Sequence, residues 1–397
     1  MYPSKVNKSA GIFVHNQVKE LVKLNLDIRV VVPVPYFPFY FKWAGFRKLP
    51  FKTFLDNVLV YYIPTLMFPG GFFFSFYDFF YKLSLLKKVL KIREEFPFNL
   101  IHCHTIFPDG AFGVFLKDII FQKYRVNIPV VSTLHGSDIM IYPSKCNYLY
   151  NKIKYFLTRN DYIIAVSKWL LEGAKSICPT LKGKVIYNGF DRKCFFPMEE
   201  FKAREELCFE KFGLDREKKI VLFIGNLFWI KGILYLVEAF SEVYRSFKDV
   251  NFVIVGTGPL HKEILKRLKI FNLEDVVFLV GKRPYKEIPL WLNSATVLVI
   301  PSLSEGLSSV LVEAMGCRKP IIITDVGGMP ELIENGKSGI IVCPQNVELL
   351  SQAMLTLLKD EELAAKLAQQ AFLASLKLDI EGSTKKIFEL YNFLSFK

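Results

Sequence analysis

VLVIPSLSEGLSSVLVEAMG, residues 297–316, changes character twice in one short stretch. It opens on an apolar run rich in β-branched residues, crosses a loop of serine and glycine, and resumes with apolar residues at helical spacing. The first part reads as a buried strand and LSEGLSS as a loop. The spacing predicts a helix beginning at Ser308 or Ser309, since serine is a favoured N-cap. Val310, Leu311, Ala314 and Met315 form its apolar arc, and Glu313 falls at the margin of that arc, neither buried nor far from the loop. Glu305 sits in the loop itself. Between the two carboxylates, the first turn of the helix offers amides with no intrahelical partner, suited to a phosphate. A diphosphate beside sugar hydroxyls would use all three features, because carboxylates accept strong, directional hydrogen bonds. On the residues alone, Glu305 is equally a loop-surface residue and Glu313 a solvated helix edge.

The same strand–loop–helix unit recurs along the chain. DIRVVVPV (27–34), NLIHCH (99–104), IPVVSTLHG (128–136), YIIAVS (162–167) and KVIYNG (184–189) read as buried strands, and so do KIVLFIGN (219–226), NFVIVGTG (251–258), VVFLVG (276–281), ATVLVIPS (295–302) and KPIIITD (319–325). Helical patterns such as 233–247 and 260–271 lie between them. Alternating strands and helices predict parallel sheets covered by helices. Two series, either side of the charged segment 199–219, predict an α/β chain of two doubly wound, Rossmann-like domains facing a cleft. The expected boundary lies near residue 197, giving domains 1–197 and 198–378. The last stretch, 379–397, reads as a helix that crosses back to the first domain. In such folds ligands bind beyond the carboxyl ends of the strands, where Gly225-Asn226, Gly256-Thr257-Gly258, Ser302–Ser309, Asp325-Val326-Gly327-Gly328 and Ser132–Asp138 all fall.

Composition narrows the classes. Of 397 residues, 51% are hydrophobic and 23% charged, ample for a core and unlike a disordered chain. Seven scattered cysteines include no CxxC pair, so neither a zinc site nor a disulfide framework is expected. The chain opens without a basic stretch and apolar core of the kind that marks a signal peptide. Charge is uneven: residues 1–200 carry 27 Lys and Arg against 14 Asp and Glu, net +13, whereas 201–397 carry 25 against 24, net +1. A field of that kind suits an anionic partner. No recognition-helix or zinc-finger motif accompanies it, so a membrane face is expected rather than nucleic acid. Residues 36–54 alternate aromatic and basic side chains, and 57–81 hold one charge, Asp78. The latter reads as a strand, a turn and an amphipathic helix, either lying in a membrane interface or packed on its own domain.

The segment 302–342 resembles the signature of glycosyltransferase family 4, retaining enzymes of the GT-B fold. Glu305 and Glu313 match its E-x7-E motif, and GIFVHNQVKEL (11–21), HTIFPDG (104–110), STLHGSD (132–138), DYIIAVSKWL (161–170), VIYNGFD (185–191), GNLFWIKG (225–232) and VGTGP (255–259) extend the resemblance along most of the chain in order. It implies that Glu305 contacts donor-sugar hydroxyls and Glu313 the nucleotide ribose. Amides of Gly306, Leu307, Ser308 and Ser309 would hold sugar and phosphate oxygens. Lys231 would contact the diphosphate and Gly11 would let backbone approach the phosphates. His135 would stand near the reaction centre, with Asp138 fixing its turn. Gly256 and Gly258 would shape a loop near the nucleotide, and Lys282 or Arg283 would lie by the base. His102 and His104 are read as structural. Asn226 replaces an arginine common in the family, leaving Lys231 more of the diphosphate charge, and EGLS stands where EGFG is usual. The family also has a full strand before the Gly11 loop, so a longer reading frame upstream of Met1 is expected.

The implied activity is transfer of a hexose from a UDP- or GDP-linked donor to a hydroxyl of a saccharide or lipid-linked acceptor, in cell-envelope polysaccharide or glycolipid synthesis. The configuration would be retained, with neither metal nor cofactor, in the cytoplasm at the inner face of the membrane. His135, Glu305 and Lys231 are the expected catalytic residues. Two alternatives share the fold: a nucleotide-sugar 2-epimerase, and a non-catalytic nucleotide-sugar-binding partner.

Overall fold

The structure, a computed structural model, describes residues 2–395. The chain forms two compact units: Met1–Tyr187 with Ile380–Lys397, and Asn188–Asp379. The division falls short of the expected residue 197 because the aromatics that follow Tyr187 pack inside the second unit. The Phe190 amide donates to the Leu378 carbonyl at 3.1 Å, and Phe195, fully buried, meets Tyr285 edge-on at 5.6 Å. The charged segment after residue 199 belongs to the second unit as well. It holds helix Glu200–Leu207 and a 3-10 turn at Phe209–Phe212. Its Arg204 is buried, donating to the Ser294 carbonyl at 3.1 Å and pairing with Glu200 at 2.9 Å. A periodicity reading misses this because charges normally mark solvent; here a paired guanidinium carries its charge into the fold.

The second unit has six strands: β8 (Lys219–Ile224), β9 (Val250–Val255), β10 (Val277–Gly281), β11 (Val297–Ile300), β12 (Ile321–Thr324) and β13 (Ile340–Val342). The short run at β13 was not among the expected strands. All pair in parallel, in the order β10-β9-β8-β11-β12-β13. Val221, Phe223, Phe252, Ile254, Val297, Val299 and Ile322 share one core with apolar residues of helices Ile233–Ser246 and Val347–Lys359. The order reverses between β8 and β11. The connections from these two neighbouring strands run to opposite sides, β8 on to β9 and β11 on to β12, so their outgoing loops separate and open a crevice.

The first unit divides its strands between two sheets. β1 (Arg29–Tyr36) pairs in parallel with β3 (Val58–Leu66), and β2 (Lys52–Leu55) forms a hairpin with β3. The hairpin turns at Asp56-Asn57, both at positive φ, as a two-residue loop of matching twist requires. β4 (Ile101–Cys103), β5 (Val130–Leu134), β6 (Tyr162–Ala165) and β7 (Gly183–Val185) form a second, all-parallel sheet in chain order. Helix Ile12–Lys23 and the last helix, Ile380–Ser395, contribute Leu21, Ile387 and Leu390 to a core with Val131 and Ile164. Among the described residues, no helix is long and apolar enough to cross a membrane.

Candidate active site

The crevice between β8 and β11 is built by loops that approach at backbone distance. The β8 loop ends at Gly232, the N-cap of helix Ile233–Ser246, with φ 67°. A Cβ there would stand 1.8 Å from the Pro301 carbonyl oxygen, so only glycine lets the two loops meet. The Leu303 amide donates to the Ile230 carbonyl at 2.8 Å and holds them together. This stitching brings Lys231 against Glu305, 74 positions away: the ammonium donates to Oε2 of the carboxylate. The Ser302 hydroxyl donates to the same oxygen at 3.2 Å. Both side chains stay partly open to solvent, 28% for Lys231 and 14% for Glu305. The pair thus presents one cation and one largely desolvated carboxylate at the mouth of the switch point.

A second loop backs Glu305. Gly327 has φ 60°, and a Cβ on it would fall 1.6 Å from the Glu305 carbonyl oxygen. The Gly328 amide donates to the Gly306 carbonyl at 3.1 Å. The β12 loop therefore presses on the β11 loop from behind, fixing where Glu305 points. Helix Ser309–Gly316 follows, with Ser308 as N-cap in extended conformation. The helix starts where the sequence predicts, but the Ser308 hydroxyl makes no capping hydrogen bond. The first-turn amides keep their partial positive charge at this end of the crevice.

Glu313 differs from expectation. It is buried, 6% exposed, not at the margin of the helix arc. Every residue from Leu311 to Gly316 is buried, so this helix is enclosed almost all round. Its carboxyl accepts a 3.1 Å hydrogen bond from the Tyr285 hydroxyl. Burial pushes its pKa up to about 8, against the opposing effect of that hydrogen bond. Near neutral pH, Glu313 holds its proton.

The other sites predicted in this unit divide. Gly256 (φ 149°) would place a Cβ 1.9 Å from the Gly225 carbonyl oxygen, and Gly258 one 2.6 Å from that of Leu227. Both glycines let the β9 loop lie against the β8 loop, where the Leu227 amide donates to Thr257 at 3.0 Å. Asn226 is exposed on the β8 loop. Gly306, Leu307 and Ser308 are buried and Ser309 half-buried at the helix start. Arg283 pairs with Glu287 at 2.8 Å and lies over the Phe212 ring at 5.1 Å. Its guanidinium is thereby committed to its own unit.

In the first unit the predicted residues gather at the carboxyl ends of β4 and β5. His135 Nε2 lies 3.1 Å from His104 Nδ1, with the rings stacked at 5.4 Å. His102 stacks on His104 at 4.5 Å, contacts the Thr133 hydroxyl at 2.7 Å and is hydrogen-bonded to the Tyr391 hydroxyl of the last helix. Burial lowers all three imidazoles, to about 4 at His135 and about 3 at His102. The group is neutral at physiological pH. Asp138 is fully buried; its oxygens accept from the amides of Gly136 at 3.2 Å and Ile106 at 3.1 Å. Burial outweighs those bonds and raises it to about 6. Its contacts are those of a residue that shapes the turn bearing His135, not of one that touches substrate. Gly11 caps helix Ile12–Lys23 at φ 59°, ψ 31°, a left-handed conformation natural to glycine.

Sequence reasoning gives no role to Tyr285, and none of its own to Ser302. Ser302 stands three positions before Glu305, a spacing that carries a faint signal. Tyr285 is 28 positions from Glu313, and no periodicity links them.

Known proteins resemble this chain in sequence and in fold. The profile of the family described as Glycosyltransferase Family 4 matches residues 10–193, and that of Glycosyl transferases group 1 matches residues 205–373. An uncharacterized glycosyltransferase of Methanocaldococcus jannaschii is 28% identical over 93% of this chain and 99% of its own length. The N,N'-diacetylbacillosaminyl-diphospho-undecaprenol alpha-1,3-N-acetylgalactosaminyltransferase of Campylobacter jejuni is 31% identical over 51% of this chain and 52% of its own. Among solved structures, Anabaena HepE in complex with UDP-glucose superposes with a TM-score of 0.73 at 21% identity, covering 97% of this chain and 96% of that one. Profiles that between them span nearly the whole chain, over two Rossmann-like units, assign this protein to the family 4 glycosyltransferases of the GT-B fold.

Proposed function

We propose that this glycosyltransferase moves a hexose from a UDP- or GDP-linked donor to a hydroxyl of a saccharide or lipid-linked acceptor, with retention of configuration and without a metal ion. The reading belongs to cell-envelope polysaccharide or glycolipid synthesis at the inner face of the membrane. The observation that carries it is the Lys231–Glu305 pair at the switch point, with Ser302 behind it. The Lys231 ammonium meets a diphosphate as a point charge, and the amides at Ser309 supply a second positive end. As the glycosidic bond breaks, both stabilise the charge that develops on the leaving diphosphate. Glu305, already desolvated and oriented, accepts from donor-sugar hydroxyls, and Glu313 faces the ribose. The departing diphosphate takes up the acceptor proton on the same face, so no side chain serves as covalent nucleophile. The UDP-glucose held by the Anabaena neighbour supports a uridine nucleotide, and the diphospho-undecaprenol in the Campylobacter relative's name supports a lipid-linked acceptor.

The test is a thermal-shift panel of UDP- and GDP-sugars on wild type and Glu305→Ala. A ligand that binds only the folded state raises the melting temperature by mass action. One nucleotide sugar should shift wild type strongly and the variant weakly. No shift of wild type by any of them at millimolar concentration overturns the reading.

A further inference from the structure

The first unit carries an apolar surface that its own core leaves uncovered. Helix Tyr77–Glu95 buries Tyr77, Tyr81, Leu85, Val89 and Ile92 at helical spacing, which accounts for one side of it. Phe79 and Leu83 are 58% and 70% exposed on the same helix, and the turn before it exposes Phe72, Phe73 and Phe76. These rings form one patch rather than scattered positions. Phe68 lies 5.0 Å from Phe73 and 5.4 Å from Phe80, which is 5.7 Å from Phe79. Phe73 continues to Phe76 at 6.5 Å. A contiguous exposed aromatic patch marks an interaction site, whereas isolated exposed apolar residues do not.

Charge identifies what covers it. Residues 36–91 hold eight Lys and Arg against two Asp and Glu, net +6. One of the two acids, Asp78, is taken by Lys152 at 2.7 Å. Lys82, Lys87 and Lys91 are exposed along the same helix as Phe79 and Leu83. A second copy of this chain would bring like charge against like charge. An anionic bilayer offers what the patch lacks: apolar depth for the rings and negative headgroups for the lysines.

We propose that Phe72, Phe73, Phe76, Phe79 and Leu83, flanked by these lysines, seat the protein on an anionic lipid bilayer. This rests on the inner-face part of the functional reading and is independent of the donor assignment. The helix is an interfacial element with its inner stripe in the protein core and its outer edge in the headgroup layer. Long lysine stems let the ammonium groups stay at headgroup level while the rings enter.

The experiment uses the full chain with large unilamellar vesicles of phosphatidylglycerol and phosphatidylcholine, beside vesicles of phosphatidylcholine alone. Wild type should sediment with the anionic vesicles at low salt and at least tenfold less with the neutral ones. Phe72→Ser/Phe79→Ser/Leu83→Ser should lower anionic-vesicle partitioning more than tenfold. Lys82→Gln/Lys87→Gln/Lys91→Gln should lower it too and flatten its salt dependence. Both variants should keep the wild-type melting temperature and its shift by nucleotide sugar, which separates this proposal from loss of fold and from the donor reading. Absence of wild-type binding to the anionic vesicles overturns it, as does undiminished binding of the serine variant. A serine variant that turns a dimer into a monomer while binding vesicles unchanged assigns the patch to a second copy instead, and also overturns it.

Discussion

The Tyr285 hydroxyl donates a 3.1 Å hydrogen bond to the buried Glu313 carboxyl, joining the loop after β10 to the helix after β11. The phenol favours the ionised carboxyl, whereas burial opposes it and prevails, placing the group at about 8. Its charge at neutral pH is therefore adjustable by whatever else approaches it.

The sign of the resulting stability effect is fixed. Glu313 is raised in the folded protein above its ordinary 4.5, so between about 4.5 and 8 the folded chain keeps a proton that the unfolded chain has lost. That contribution is fully present below the lower value and disappears as pH rises through about 8. Glu313→Gln should match wild type at pH 4 and become the more stable of the two by pH 9. Melting temperatures across that range check it; a constant difference would show that folding leaves the pKa of Glu313 unshifted.

Donor binding should draw on the same proton. Ribose hydroxyls donating to Glu313 favour its ionised form, so nucleotide-sugar affinity should rise from pH 6 to 8 with release of a proton. Titration calorimetry in buffers of different ionisation enthalpy measures that release directly. Tyr285→Phe removes the opposing hydrogen bond and should move the midpoint to higher pH.

Lys231→Ala should cut kcat by roughly 100- to 1000-fold, the usual effect of removing one preorganised group that stabilises transition-state charge. Lys231→Arg should restore only part of the loss, because a planar fork does not reproduce a point charge held against Glu305. Steady-state kinetics on the donor that emerges from the thermal-shift panel decides this, and a mere rise in KM would assign Lys231 to binding alone.

Gly327→Ala touches no expected ligand, yet it should abolish most donor binding. The added methyl would overlap the Glu305 carbonyl oxygen, and φ 60° is strained for alanine. Either response, a flipped glycine loop or a displaced Glu305 loop, moves the carboxylate. Wild-type thermal shift in this variant would sink the claim that the β12 loop positions Glu305.

Asp138→Asn keeps one acceptor and turns the other position into a donor facing an amide. An unsatisfied buried group costs about 1–3 kcal/mol. A lowered melting temperature should accompany loss of transfer, while the donor shift stays. His135→Ala should lose transfer with the same donor shift and little change in melting temperature.

The strand–loop–helix pattern of residues 297–316, recurring along the chain, was enough to read an α/β chain and to find ten of the strands, while Glu305, Glu313 and Lys231 came forward as candidates through the resemblance to family 4 glycosyltransferases. Periodicity and residue type are local properties, and those elements are dictated locally. Other features depended on contacts between segments far apart in the chain. Arg204 reads as a solvated charge until its partners Glu200 and Ser294 surround it. Glu313 reads as a helix edge until Tyr285 and the enclosing core remove its water. Lys231 and Glu305 are only two charged residues until Gly232 lets their loops touch across the point where the strand order reverses. Sequence alone determined which groups are present and on what element each rides. Tertiary structure decided which are desolvated and which are paired, because burial and ion pairing are set by neighbours that sequence spacing does not name.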